Sequence, residues 1–134
     1  YKIFNHPVPA AIDRLYVWSI RKPLDTEAMR FAASYIIGSH DFKAFEGVGS
    51  PRAHTTRHVM AADLVESENR LLTFRIEADG FLRFMVRNIV GTLVDVGLGK
   101  TSPAEFKQIL KSRDRTKAGA TAPARGVCLM EVKY

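Results

Sequence analysis

The segment that most constrains the fold is DGFLRFMVRNIVGTLVDVG, residues 79–97, which is apolar on nearly every side when drawn as a helix. This composition predicts one long helix packed into the core. Two basic residues, Arg83 and Arg87, lie one turn apart within it. A buried, unpaired guanidinium costs several kcal/mol or more. Either a carboxylate therefore meets these side chains, or this face of the helix opens onto a site.

The same segment has a stripe of unusual residues. At about 100° per residue, Asp79, Arg83 and Arg87 share one side of a helix, and Gly91 follows on the next turn. A helical glycine costs about 1 kcal/mol relative to alanine, which makes sense where another backbone or a ligand approaches closely. The stripe predicts the wall of a cleft or a structural salt bridge from Arg87 to a buried carboxylate. The two are compatible if that carboxylate is catalytic.

The rest of the chain alternates between strand-like and helix-like segments. Alternating apolar residues and turn signals predict strands at 1–5, 57–67, 70–80 and 127–134, while 14–19 is either a strand or an extended segment. Capping residues and periodicity predict helices within 22–40 and at 102–113. This order predicts an α+β fold, with helices on one face of a mainly antiparallel sheet and ferredoxin-like packing.

Length and charge limit the classes of function. The 134 residues make one domain, and the net charge of +6 favours a polyanionic partner, nucleic acid before an acidic membrane surface. On charge alone, a basic surface that binds nothing is an equal alternative. The chain has no secretory signal and no long uncharged apolar run, so we expect a soluble, cytoplasmic protein without a membrane partner.

The scattered histidines and the single cysteine do not predict a metal site. His54 and His58 are four apart, as in a helical metal pair, but RAHTTRH runs into a predicted strand, where that spacing does not converge. Cys128 lies in an apolar predicted strand and is interpreted as a small buried hydrophobic residue. One cysteine also excludes a disulfide within the chain.

Basic side chains collect in two predicted loops, 41–58 and 114–126, and on the long helix. The residues concerned are Lys43, Arg52, Arg57, Arg83, Arg87, Arg113, Arg115, Lys117 and Arg125. They form either one surface that contacts phosphates or a set of separate solvated charges.

Four blocks make the sequence recognisable: DFKAF, TTRHV, ADGFLRFMVRNIVGTLVDVGLGK and RDRTKAGATAPARGVCLMEVKY. In this order, over essentially all 134 residues, the chain resembles the C-terminal half of the tRNA pseudouridine synthase A family. MVRNIVG and RDR…AG.TAPA.G are the most specific parts of the resemblance. It implies a homodimeric enzyme, working without cofactor or metal, that isomerises uridine to pseudouridine in the anticodon stem-loop of tRNA.

The resemblance also implies that part of the active site lies outside this chain. The family carries its catalytic aspartate in a GRTD.GVH motif of the N-terminal half, and no aspartate here lies in such a motif. Tyr1 matches the second tyrosine of a Y.Y pair, whose first member contacts the target base. We therefore expect residues 1–134 to be the C-terminal α/β subdomain, inactive alone, with the N-terminal half of the same enzyme as its partner.

What remains is one wall of the site. By resemblance, Arg87 corresponds to the arginine that pairs with the catalytic aspartate, keeping that carboxylate ionised and aimed. The residues that match the apolar pocket of the flipped uracil are Phe81, Leu82, Met85 and Val127. The candidate phosphate contacts are Lys43, Arg52, Arg57 and Arg83, of which only Arg57 has a good family match. Phe84 stands where many relatives carry histidine.

A different class of function stays open at this point. A non-catalytic RNA-binding or dimerisation module of the same fold would show the same blocks. The sequence immediately upstream of Tyr1 separates the two, since GRTD there favours the enzyme. A homodimer is also consistent with a half-sheet whose strand at Tyr1 would leave an exposed edge.

Overall fold

The computed structural model describes residues 1–8, 16–47 and 54–129, in which five strands and three helices alternate along the chain. The strands are β1 (Lys2–Asn5), β2 (Trp18–Ile20), β3 (Gly38–Asp41), β4 (Thr56–Glu66) and β5 (Leu71–Ala78). The helices are α1 (Thr26–Ser34), α2 (Met85–Gly97) and α3 (Pro103–Ser112). Three short 3₁₀ turns lie at Lys43–Phe45, Arg115–Lys117 and Ala124–Gly126.

The five strands form one mixed sheet in the order β2-β1-β5-β4-β3. β1 runs parallel to β2, and the other three pairings are antiparallel, so the predicted mainly antiparallel sheet is confirmed. Ile3 of β1 lies opposite Trp18 of β2 on one side and Leu72 of β5 on the other. The prediction of an exposed edge at the strand of Tyr1 is therefore wrong, because β2 covers it. The edges of the described sheet are β2 and β3.

The core lies on one face of this sheet. Leu72 and Phe74 of β5 join the buried side chains of all three helices, as do Val59 and Leu64 of β4. Val59 and Leu64 are five apart and would face opposite sides of a regular strand, but a register shift between Val59 and Ala61 lets both reach the core. The helices thus pack on one face, as predicted.

The caps of two helices follow the sequence. The Asp25 carboxylate accepts a hydrogen bond from Ala28 N at 3.1 Å and starts α1. At α3, Ser102 and Glu105 form a reciprocal capping box with Pro103 in the first turn. Both helix starts were predicted, because capping depends on residues close together in the chain.

The strand β3 was missed. Its sequence, GSHD, was assigned to a helix end and a loop, because it has neither apolar alternation nor branched residues. In the structure Gly38–Asp41 pairs antiparallel with the start of β4 through the backbone. Pairing with a distant strand, rather than local preference, makes this segment extended.

The prediction of one helix over 79–97 is wrong in its first part. Asp79 N donates to His58 O at 3.0 Å, and His58 N donates to the Asp79 carboxylate at 2.9 Å, so Asp79 continues the contact between β5 and β4. Arg83 O accepts from Gly47 N at 2.7 Å. Phe84 then adopts a left-handed backbone, with φ of 58°, and α2 begins only after it.

Because α2 starts later than predicted, the predicted stripe of Asp79, Arg83, Arg87 and Gly91 does not form. Asp79 and Arg83 precede the helix, so they do not share a helical face with Arg87. Only Arg87 and Gly91 remain one turn apart on α2.

The C-terminal prediction fails over its described part. Residues 127–129 are not in a strand, and Cys128 is exposed instead of buried. Three parts of the predictions lie outside the described residues: residues 130–134, the first two residues of the predicted segment 14–19, and Arg52. No helix in the described part of the chain is long and apolar enough to cross a membrane.

Candidate functional site

Two fully buried polar residues of α2, Asn88 and Thr92, anchor segment 114–126 to the helix. Thr92 Oγ1 donates to Asn88 O at 2.9 Å and accepts from Gly119 N at 2.9 Å. The Asn88 side-chain amide donates to Phe45 O at 2.8 Å. Buried polar groups cost free energy unless they are hydrogen-bonded, and here they bond to backbone on both sides of the helix.

Arg115 completes this network from segment 114–126. Its guanidinium donates to Gly119 O at 2.9 Å, to the Asn88 side-chain carbonyl at 3.1 Å and to Thr121 Oγ1 at 3.2 Å. The Thr121 hydroxyl also donates to the Asn88 carbonyl, at 2.5 Å. Arg115 therefore holds the segment in shape, and part of its guanidinium is taken up by these contacts.

Gly91 allows the segment to lie directly on α2. A Cβ added there would fall 1.7 Å from Ala120 O. Of the two predicted reasons for a glycine, close approach of another backbone is the one that the structure shows.

Arg87 is half-buried beside this segment and is held by its backbone. Arg87 Nε donates to Ala122 O at 2.8 Å, and Ala122 N donates to Arg87 O at 3.0 Å. No carboxylate among the described residues forms an ion pair with Arg87. The alternative of a structural salt bridge is therefore not realised in the described part of the chain.

Arg83 and Arg87 both lie against the Phe84 ring. Their guanidinium carbons are 4.9 Å and 4.7 Å from the ring centroid, within the range of cation–π contacts. Arg83 is exposed, and Phe84 is partly exposed. The structure thus brings the two predicted arginines together even though they do not share a helix.

Tyr1 closes the other end of segment 114–126. Its hydroxyl donates to Pro123 O at 2.5 Å, and a Cβ added at Gly126 would lie 2.5 Å from its ring. Burial raises the pKa of the Tyr1 hydroxyl to about 12, although the positive charges of Arg87 and Arg125 work to lower it. Tyr1 therefore stays a neutral donor and joins β1 to the segment that holds Arg87.

The four predicted pocket residues divide into two pairs. Leu82 and Met85 are buried in the core, whereas Phe81 and Val127 are exposed. Only the latter pair offers an apolar surface to solvent, whereas the buried pair belongs to the core.

The predicted phosphate contacts differ in how freely they reach solvent. Lys43 is largely exposed, with its ammonium 4.0 Å from the Glu46 carboxylate. Arg57 donates to the carbonyls of His54 and Thr56 at 3.0 and 2.8 Å, so its guanidinium is partly engaged by its own strand.

Two other basic residues of the predicted surface have structural or local roles. Arg113 forms an ion pair with Asp41 at 2.9 Å, and Arg115 belongs to the buried network. Among the described residues, no three histidine, cysteine, aspartate or glutamate side chains are placed to hold a metal ion.

A family model described as "tRNA pseudouridine synthase" matches residues 32–134. The chain belongs to the tRNA pseudouridine synthase family. It is 47% identical to the tRNA pseudouridine synthase A of Moorella thermoacetica, 48% to that of Thermoanaerobacter pseudethanolicus and 46% to that of Clostridium acetobutylicum, in each case over all 134 residues. The chain spans about half the length of these relatives, 54% of each.

The segment that matches the tRNA pseudouridine synthase family contains both α2 and segment 114–126. Sequence reasoning missed the network of Asn88, Thr92, Arg115 and Thr121 that joins them. A signal for it was present, because Asn88 and Thr92 are four apart in an apolar helix, and buried polar groups require partners just as a buried guanidinium does.

Proposed function

We propose that this chain is the C-terminal half of a tRNA pseudouridine synthase, and that it supplies the arginine wall of the site where uridine becomes pseudouridine in the anticodon stem-loop. The observation that carries the proposal is the way Arg87 is held. Its Nε is bound by Ala122 O, which leaves its two Nη groups for a carboxylate from the N-terminal half. The match of the family to residues 32–134 supports the reaction class.

In this proposal the nucleophile is the aspartate of the GRTD motif in the N-terminal half. The aspartate bonds transiently to the base or to the ribose, and the bond from ribose C1′ to N1 of uracil breaks. The base turns, a bond from C1′ to C5 forms, and the bond to the aspartate breaks again. The C5 proton leaves, and N1 ends protonated, so the product is an isomer and no oxidant or reductant is needed. The positive charge of Arg87 lowers the pKa of the aspartate and orients it.

The proposal assigns the RNA-facing surface to exposed apolar and basic residues. Exposed Phe81 and Val127 offer apolar contact to a base drawn out of its stack. Lys43, Arg57 and Arg83 are proposed to contact tRNA phosphates, together with Arg52 from outside the described residues. The proposal includes a homodimer, and a cytoplasmic location where tRNA is processed.

The test uses the polypeptide that contains this chain and measures tritium release from tRNA labelled at C5 of uridine. We expect Arg87→Ala to lower kcat by about 100-fold, because the aspartate loses the charge that keeps it ionised and oriented. KM for tRNA should change by less than about threefold, because Arg87 is aimed at the carboxylate more than at the RNA backbone.

The matched control is Arg75→Ala, which removes an exposed arginine from the open face of β5. Its kcat should equal that of the wild type. An unchanged kcat in Arg87→Ala would remove Arg87 from the site. A wild-type polypeptide that binds tRNA without turnover would favour a non-catalytic RNA-binding module.

A further inference from the structure

Phe84 is an aromatic residue in a backbone conformation that phenylalanine rarely adopts. Its φ is 58° and its ψ 10°, in the left-handed region where a side chain crowds the backbone. Nevertheless the ring is not hidden in the core, since 39% of the residue is exposed. A strained residue whose ring faces solvent gains less from burial than a core phenylalanine does, and such strain is characteristic of functional sites.

The ring is supported from within by backbone. A Cβ added at Gly47 would lie 2.6 Å from a carbon of the Phe84 ring, so a side chain at 47 would displace it. Gly47 N donates to Arg83 O at 2.7 Å, which fixes the residue before Phe84. The position of the ring is thus set by the chain around it.

Two positive charges lie over the partly exposed ring. The guanidinium carbons of Arg83 and Arg87 lie 4.9 and 4.7 Å from its centroid. We name these three residues, Arg83, Phe84 and Arg87, the cation–aromatic platform. An aromatic face with adjacent guanidinium planes is the combination on which unpaired nucleobases stack, and the exposed Arg83 is the member that can also contact a phosphate.

We infer that the cation–aromatic platform stacks an unpaired base next to the target uridine of the RNA. This inference rests on the proposed function, because Arg87 places the platform at the edge of the proposed site. The occupant is a neighbouring nucleotide because the proposed function assigns Arg87 to the catalytic carboxylate. Both guanidiniums lie over the Phe84 ring, so the base stacks on the exposed part of the ring and on the guanidinium planes that cover the rest. On this inference, the left-handed backbone of Phe84 is tolerated because it places the ring where a base can stack on it.

The experiment measures Kd for unmodified tRNA over a range of salt concentrations, using the polypeptide that contains this chain. We expect Phe84→Ala to raise Kd by about tenfold at every salt concentration, because stacking on a ring is not an ionic contact. Arg83→Ala should instead reduce the slope of log K against log salt by about one, since a phosphate contact is lost. Phe84→Trp should retain wild-type Kd, because it keeps an aromatic face.

Phe84→Gly separates stacking from a purely structural role. Glycine accepts a φ of 58° without strain, so this variant should unfold at the same or a higher urea concentration and still bind tRNA about tenfold more weakly. The matched control is Phe31→Ala, which removes an exposed ring from α1 and should leave Kd unchanged.

A wild-type Kd in Phe84→Ala would overturn the inference. It would also be overturned if Phe84→Gly unfolded at a lower urea concentration and this loss of stability accounted for its weaker binding of tRNA. Failure of the proposed function has a different signature, the absence of pseudouridine formation by the wild-type polypeptide. The two failures are therefore distinguishable.

Discussion

At the scale of single residues, Asp41 shows how several contacts set the charge of one carboxylate. Partial burial works to raise its pKa, but hydrogen bonds from Thr55 Oγ1 at 2.6 Å and Lys43 N at 3.0 Å outweigh it. The positive charge of Arg113 acts in the same direction. The pKa of Asp41 consequently lies below its usual value, and ionised Asp41 ties β3 to the residue that ends α3.

This shift predicts a pH-dependent contribution to stability. Because the pKa is lower in the folded than in the unfolded state, the stabilisation is complete above about pH 4 and is lost as the pH falls through the folded-state pKa. Asp41→Asn should lower the free energy of unfolding by about 1 kcal/mol at pH 7, a modest value because Arg113 is mostly exposed. In urea denaturation the difference between the two proteins should be smaller at pH 3 than at pH 7, because at pH 3 the unfolded state binds a proton at Asp41 more readily than the folded state does. The same loss at both pH values would contradict this account.

At the scale of elements, the position of α2 depends on the segments that pack against it. Its buried face carries apolar residues, yet its contact with segment 114–126 depends on Gly91 and on the hydrogen bonds of Asn88 and Thr92. The amphipathic pattern of the sequence accounts for the burial. It does not show which backbone lies on the helix, because that partner is about thirty residues further along the chain.

Two glycines of α2 give a matched pair of substitutions. In Gly91→Ala the new Cβ would fall 1.7 Å from Ala120 O, a backbone atom that cannot move without displacing the segment. In Gly97→Ala it would meet the Met29 sulfur at 2.6 Å, at the end of a flexible side chain. We expect Gly91→Ala to lower the free energy of unfolding by about 2 kcal/mol or more, despite the better helix propensity of alanine.

Gly97→Ala should stay within about 1 kcal/mol of the wild type, because Met29 can change rotamer. Urea denaturation of both variants measures the difference. Equal stabilities of the two variants would show that segment 114–126 does not lie on Gly91 as described.

At the scale of the whole molecule, the proposed site is divided between two parts of a polypeptide. We expect purified residues 1–134 to form no pseudouridine in tRNA, because the proposed nucleophile is an aspartate of the N-terminal half. Addition of that half should restore tritium release from C5-labelled tRNA. Turnover by residues 1–134 alone would show that a carboxylate of this chain acts as the nucleophile.

Local patterns predicted much of the fold. The β4–β5 hairpin and the capped starts of α1 and α3 were predicted, with Asp25 and Thr26 left open as the cap of α1. Each of these features depends on residues within a few positions. The sequence singled out only part of the candidate site. Arg87 stood out because a charge conflicts with an apolar helix, whereas Asn88 and Thr92, which are equally anomalous there, were overlooked.

The sequence by itself therefore determined which segments are amphipathic, where helices can be capped and that α2 needs polar partners. Only the tertiary structure decided that α2 begins after Phe84, that β2 covers β1 and that the Ala120 backbone lies on Gly91. The physical reason is range. Periodicity and capping act between near neighbours, whereas these features depend on packing and backbone hydrogen bonds between segments far apart in the chain.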